Sequence, residues 1–249
     1  MDMRGKTVVI TGASRGIGAA TAEVFANAGA HVVLAARSGA AVEALAKKLP
    51  SAVGVTCDVA KEDDVKRMIQ TAIDNFGRLD VVINNAGMLD PVERLSEATS
   101  TAWERVIDIN VKGVFYAMRH AAPIMKKQSG GTILTIGSGA ATSALEGWSA
   151  YCTSKAAVHH LNACLHKEEA ENGIRAMIMS PGTVATKMQE VIRESGVNPV
   201  SQIPWENHIP ADWVGKVLLW MCGPEADSHL GQVVAIRGDD LKSLVDQMG

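Results

Sequence analysis

"KTVVITGASRGIG" (6–18) decides the fold. Its first six residues are mostly β-branched and read as a strand, and helical spacing begins at position 16. Glycines at 12, 16 and 18 lie between and across the two. They permit a tight turn, a close approach of an anion to the backbone, and tight packing of helix on strand. A helix that starts there aims unpaired N–H groups and a positive dipole at the turn, which suits a phosphate. Glycine-rich turns also arise for steric reasons alone. Here the turn opens a strand–helix series, which favours the phosphate reading for Gly12, Ser14, Arg15, Gly16, Ile17 and Gly18.

Outward from this turn, strand-like runs recur at 31–36, 52–57, 79–84, 131–137, 174–180 and 232–237. Most are apolar on consecutive residues, as strands covered on both faces must be. Helical periodicity fills 16–28, 40–48, 61–76, 101–127, 150–172 and 211–221. Such alternation predicts an α/β fold, a single doubly wound Rossmann-type domain over 1–249, with a mostly seven-stranded parallel sheet flanked by helices. The connection 186–210 is partly helical, otherwise irregular, and follows the carboxyl end of a strand, where ligands of open α/β sheets bind.

The 249 residues carry a formal charge of −3, with 47% apolar and 20% charged side chains. That balance gives no reason to expect nucleic acid or an anionic membrane as a partner. No apolar run approaches the ~18 residues that a membrane helix needs, and the N-terminus enters a strand without a secretory leader. Four scattered cysteines, without CxxC pairing, predict free thiols, no metal site and a cytoplasmic location. His159, His160 and His166 read as surface or subunit-contact residues, since metal-ligand spacing is absent.

A dinucleotide site of the NAD type carries an acid at the end of the second strand, for the ribose 2′-hydroxyl. This chain has Ala36 and then Arg37. A carboxylate there would repel a 2′-phosphate, whereas an arginine grips it through paired charge-assisted hydrogen bonds. Arg15 could add a second positive charge, so NADP(H) is the expected cofactor; two solvated arginines are the alternative.

"YCTSK" (151–155) sets Tyr151 one helical turn before Lys155. A phenol titrates near ~10 in water. A neighbouring ammonium, joined by an oxidised nicotinamide, would favour the phenolate and make Tyr151 a usable acid or base. The pair alone is common by chance. "TIGSGA" (135–140) adds Ser138 beyond a core strand, and "NNAG" (84–87) ends another. Asn110 breaks the apolar stripe of "DINVKGVF" (108–115), either to satisfy local backbone or to serve the site.

Together these motifs resemble the short-chain dehydrogenase/reductase family over the whole chain. The resemblance rests on TGxxxGxG as "TGASRGIG", "CDV" (57–59), "NNAG", Asn110, Ser138, YxxxK and "PGTVAT" (181–186). It implies Tyr151 as proton donor or acceptor, with Lys155 lowering its pKa and holding the nicotinamide ribose. It also implies Ser138 as the group orienting substrate and Asn110 as the anchor of a water in a relay with Lys155. Asp58 and Val59 would meet the adenine, and Asn84, Ala86 and Gly87 would line the cofactor. Pro181, Gly182, Thr183, Val184 and Thr186 would flank the nicotinamide. Gly137 stands where a second serine is frequent, and "RGDD" (237–240) replaces the usual "DGG".

The implied activity is hydride transfer between nicotinamide and a carbonyl or secondary alcohol. A 3-oxoacyl thioester reductase and a sugar or polyol dehydrogenase stay open within the family, and a non-catalytic dinucleotide sensor or scaffold outside it. The family's helix packing implies a homo-oligomer, tetramer before dimer. Residues 140–147 and 186–210 are expected to shape the substrate pocket. Met188 could soften its wall, and Trp205 could face substrate or latch the loop. Trp213 and Trp220 read as core.

Overall fold

In the computed structural model, which describes residues 1–247, seven parallel strands form one sheet in the order β3-β2-β1-β4-β5-β6-β7. They are β1 (Thr7–Thr11), β2 (His31–Ala36), β3 (Ala52–Thr56), β4 (Val81–Asn84), β5 (Gly131–Ile136), β6 (Ile174–Met179) and β7 (Val233–Val234). The order reverses between β1 and β4, and the crevice outside the carboxyl ends at that reversal is where such sheets bind ligands.

Because successive side chains of a strand point to opposite faces, the consecutive apolar residues divide between two cores. Val8, Ile10, Val32, Leu34, Val81 and Ile83 enter one, while Val9, Val33, Ala35 and Val82 enter the other. The first is covered by α1 (Gly16–Asn27), α2 (Gly39–Ala46), α8 (Ala211–Met221) and α9 (Gly238–Gln247). The second is covered by α3 (Glu62–Phe76), α5 (Gly113–Lys127) and α6 (Ser149–Glu169). Two further helices are α4 (Ser100–Ile107), which packs on α6, and α7 (Lys187–Ser195), which lies within the 186–210 connection.

Three expected boundaries change. The helix foreseen over 101–127 is α4, then a π-helical turn at Asp108–Lys112, then α5. A π turn carries one extra residue per turn and often marks a functional position; here it contains Asn110. The strand foreseen over 232–237 pairs only at Val233–Val234, and the chain then enters α9. That helix escaped the sequence reading, although Asp239 and Asp240 suit a helix start and Leu241, Leu244 and Val245 recur at helical spacing. The helix foreseen to 172 ends at Glu169 and tightens into a 3₁₀ turn, Ala170–Asn172. Trp213 and Trp220 pack against the first core, as expected.

The 186–210 excursion is tied at its neck. Ile209 N–H donates to Thr183 O at 3.1 Å, and Ala185 N–H donates to Ile209 O at 3.0 Å. Between these ties lie α7 and two short 3₁₀ turns, Pro199–Gln202 and Trp205–Asn207. Trp205 is 38% exposed and sits between the His208 ring, stacked at 5.1 Å, and the Arg193 guanidinium, 5.3 Å from its centroid.

Candidate active site

The glycine turn is built against the exit of β4. Gly12 adopts φ +65°, and a β-carbon on it would stand 2.9 Å from Ala86 Cα. A β-carbon on Gly18 would collide with Gly12 O and come within 2.6 Å of Asn85 Nδ2. Both positions therefore require glycine. Asn85, absent from the sequence-derived set, fixes the turn: Nδ2 donates to Thr11 O at 2.9 Å and to Gly12 O at 3.2 Å. Thr11 Oγ1 accepts from the N–H groups of Asn85 and Ala86, each at 3.0 Å. The doubled asparagine of "NNAG" was the available signal.

α1 starts at Gly16 with no side chain capping its amino end. Its first-turn N–H groups thus face the turn, as an anion site requires. Ile17 sends its side chain into the first core, so its part in the cradle is the backbone's. Ser14 is half-buried, Arg15 is exposed, and the Thr186 methyl lies 3.4 Å from the β-carbon position of Gly16. Arg37 is exposed directly after β2. Among the described residues neither arginine pairs with an acid. Asp58 accepts from Ala60 N–H at 3.2 Å, and buried Val59 packs on Gly113. Asn84 is buried and donates to Thr135 Oγ1 at 3.3 Å.

Tyr151 and Lys155 occupy the first turns of α6, facing the end of β5. Lys155, only 6% exposed, donates from Nζ to Ile136 O at 2.7 Å. Its Nζ lies 5.5 Å from the centroid of the Tyr151 ring. The Ser138 hydroxyl lies against the phenol and opposes part of its shift. Burial nevertheless pushes the Tyr151 pKa up to about 12 and the Lys155 pKa down to about 8. The expected lowering of the phenol by Lys155 does not occur in the protein alone. Removing the phenol from water raises it, and the Ser138 hydroxyl offsets only part of that rise.

Asn110 spends its side chain on structure. Oδ1 accepts from Met88 N–H at 2.9 Å, and Nδ2 donates to Met88 O at 2.9 Å and to Ser154 Oγ at 3.0 Å. It clamps the exit of β4 to the helix that carries Tyr151. A β-carbon on Gly87 would meet Asn110 Oδ1 at 3.4 Å and Lys155 Nζ at 3.9 Å, so all three converge.

Beside Tyr151 stands an apolar wall. Leu89, Ala140, Trp148 and Ile192 are its buried members, and Val92, Leu145, Cys152 and Met188 pack on them with Tyr151. Both expected pocket segments contribute, together with Leu89 and Val92, which sequence reading left out. Glu93 N–H donates to Gly147 O at 3.0 Å, and Asn198 Nδ2 donates to Glu146 O at 3.1 Å, fastening the three segments. Pro181 and Val184 are buried at the exit of β6. Gly182 there, at φ +77°, lies under the Arg237 guanidinium, which donates to Ser180 Oγ at 3.3 Å.

The histidines of α6 correct the surface reading. His160 is exposed, but His159 and His166 are part-buried, with Nε2 and Nδ1 respectively sealed from solvent. Their helical spacing turns them toward the sheet. No group of three metal-ligating side chains occurs among the described residues, and no helix is long and apolar enough to cross a membrane.

Residues 6–196 match the family model for short chain dehydrogenases. This chain belongs to the short-chain dehydrogenase/reductase family. It is 34% identical over 237 residues to an uncharacterized oxidoreductase of Staphylococcus saprophyticus, covering 94% of this chain and 96% of that one. It is 32% identical over 243 residues to the 3-oxoacyl-[acyl-carrier-protein] reductase of Thermotoga maritima, covering 96% and 98%. A solved 7α-hydroxysteroid dehydrogenase, complexed with NADH and 7-oxo glycochenodeoxycholic acid, superposes with a TM-score of 0.86 at 29% identity, covering 96% and 95%. Short-chain dehydrogenases are oxidoreductases that bind a nicotinamide dinucleotide, and the uncapped helix start and space-requiring glycines fit one.

Proposed function

We propose that this short-chain dehydrogenase moves hydride between NADP(H) and a ketone or secondary alcohol, with Tyr151 as general acid and base. One arrangement carries the reading: the part-buried Tyr151, with the Ser138 hydroxyl acting on its phenol, stands beside the buried Lys155 at the crevice that holds the glycine turn. The dinucleotide supplies or accepts the hydride. Tyr151, held protonated by burial, is ready to give its proton to a ketone oxygen that Ser138 orients. Lys155 provides the positive charge that limits the cost of the phenolate left behind, and holds the nicotinamide ribose. Asn110 acts as a positioning residue through Met88 and Ser154 in place of a side-chain water anchor. Asp58, Val59, Asn84, Ala86, Gly87 and the 181–186 turn line the dinucleotide.

NADP(H) is favoured by Arg37 and Arg15, two acid-free cations beside the cradle, and by the absence of a carboxylate after β2. The NADH in the steroid dehydrogenase complex belongs to that protein. The wall of Leu89, Val92, Leu145 and Met188 suits a ketone with apolar substituents better than a polyol, and a 3-oxoacyl thioester is one such ketone. Free cysteines support a cytoplasmic setting. Phe115, 41% exposed on α5, supports burial of that helix in a homo-oligomer, tetramer before dimer.

The test is reduction of a ketone panel with NADPH by the wild-type protein and Tyr151→Phe. The variant should lose at least about a hundredfold in kcat, the general acid–base contribution. Equal turnover would remove Tyr151 from the mechanism, and tight NADPH binding without any turnover would favour a sensor.

A further inference from the structure

The helix that presents Tyr151 and Lys155 carries a third polar side chain on the same face. At 3.6 residues per turn, positions 151, 155 and 159 fall within about 80° and succeed one another by about 6 Å along the axis. His159 lies below Lys155, with its ring against Gly137: a β-carbon on that glycine would stand 2.5 Å from Nε2. The Ile178 side chain closes the other flank. With His159 on one side and Ile178 on the other, position 137 has no room for a β-carbon, which accounts for the missing serine before Ser138.

Three side chains of α6 thus engage three consecutive residues at the end of β5. Lys155 holds the Ile136 carbonyl, His159 fills the space at Gly137, and Tyr151 meets Ser138. An aliphatic side chain would serve packing at 159 without cost. Instead, Nε2 is buried with no hydrogen-bond partner among the described residues, an expensive arrangement in a folded protein.

The charges around the ring are few. Burial, and then the Lys155 ammonium, hold the His159 pKa below its usual value. The strands packed on the ring contribute Gly137 and Ile178, both uncharged. Along the same face of α6, Asn162 is neutral, and His166 lies seven residues on, about 10 Å along the axis. A proton on His159 would accordingly place a second cation beside Lys155, on a half-buried ring whose Nε2 is sealed from solvent. Lys155 would then have to give up its own proton or leave the Ile136 carbonyl, and either change undoes the support of the phenol.

We propose that His159 is a positioning residue, keeping Lys155 and the Ser138 turn in register while its ring is neutral and disabling the centre when the ring is protonated. The inference rests on the reductase reading above, and its first test needs no turnover. In histidine-labelled protein, ¹⁵N–¹H NMR should show the His159 ring titrating below the ordinary ~6.5, and Lys155→Met should move that titration upward. A ring that titrates at the ordinary value, or ignores Lys155→Met, overturns the proposal even if ketone reduction is rapid.

The second test is the pH profile of kcat/KM. The wild-type protein should lose activity on the acid side at the pH where the ring titrates. In His159→Gln that limb should vanish or shift by roughly one pH unit or more. A uniformly lower rate with an unchanged profile would make His159 a packing residue only. If the wild-type protein reduces no ketone, the reductase reading fails, while the NMR titration still decides whether the ring and Lys155 are coupled.

Discussion

Lys155 Nζ donates a hydrogen bond to the carbonyl oxygen of Ile136 at 2.7 Å, locking the third residue of "TSK" to the residue two before Ser138. The bond fixes the ammonium beside the phenol, and burial makes the ammonium costly. Its pKa falls from 10.5 to about 8. Below about 8 the unfolded chain and the folded protein are both protonated, and the whole cost of the buried charge is present. As pH rises from 8 to 10.5 the folded side chain is neutral while the unfolded one stays charged, and the cost fades.

Lys155→Met should therefore stabilise the protein while abolishing turnover. The shift corresponds to about 3 kcal/mol, of which about 1 is returned by loss of the hydrogen bond. Calorimetry at pH 7 should show a Tm higher by roughly 5 °C, with the gain shrinking above pH 8. A lower Tm at pH 7 would show that the ammonium is solvated after all.

Arg37→Asp should reverse cofactor preference. Loss of a paired guanidinium–phosphate contact weakens NADPH by about ten- to a hundredfold, and a carboxylate at this position offers the 2′-hydroxyl of NADH an acceptor. Fluorescence titration with both nucleotides reads the change. An unaltered ratio would place the phosphate on other residues.

Asn85→Ala should loosen the cradle without touching the acid–base pair. It strips hydrogen bonds from Thr11 O and Gly12 O, for a loss of about 1–3 kcal/mol in stability. Dinucleotide affinity should fall with it, while kcat at saturating nucleotide changes little. Full affinity in the variant would mean that the turn holds its shape unaided.

At the opposite, amino ends of the central strands, Asp80 ties β1 to β4. Burial alone would raise its carboxyl, but Arg78, the Thr7 N–H and Lys6 outweigh burial and hold the pKa below 3.8. Its folded value being depressed, the stabilisation is present above 3.8 and is lost as pH falls through the lowered value. Asp80→Asn should cost about 1–3 kcal/mol in urea unfolding at pH 7, with turnover unchanged. Equal stability would assign no weight to the cluster.

The alternation of strand and helix, the glycine turn, and the Ser138, Tyr151 and Lys155 set were legible because each is a local pattern. A strand covered on both faces must be apolar throughout, and a turn without room for a β-carbon must be glycine. The α9 helix was legible in principle, from Asp239 and Asp240 before Leu241, Leu244 and Val245, and was masked by the expectation of a longer last strand.

Other features depended on residues far apart in the chain. Asn85 reaches across to Thr11, Asn198 to Glu146, and Leu89 joins Met188 in one wall. The sequence by itself determined the fold, the family and the candidate residues of the site, because period, glycine spacing and residue type are properties of neighbours. Only the tertiary structure decided their electrical state: Tyr151 stands well above the ordinary phenol, Lys155 well below the ordinary ammonium, and His159 turns inward against Gly137. Burial, which sets the cost of a charge, is a property of what packs around a residue.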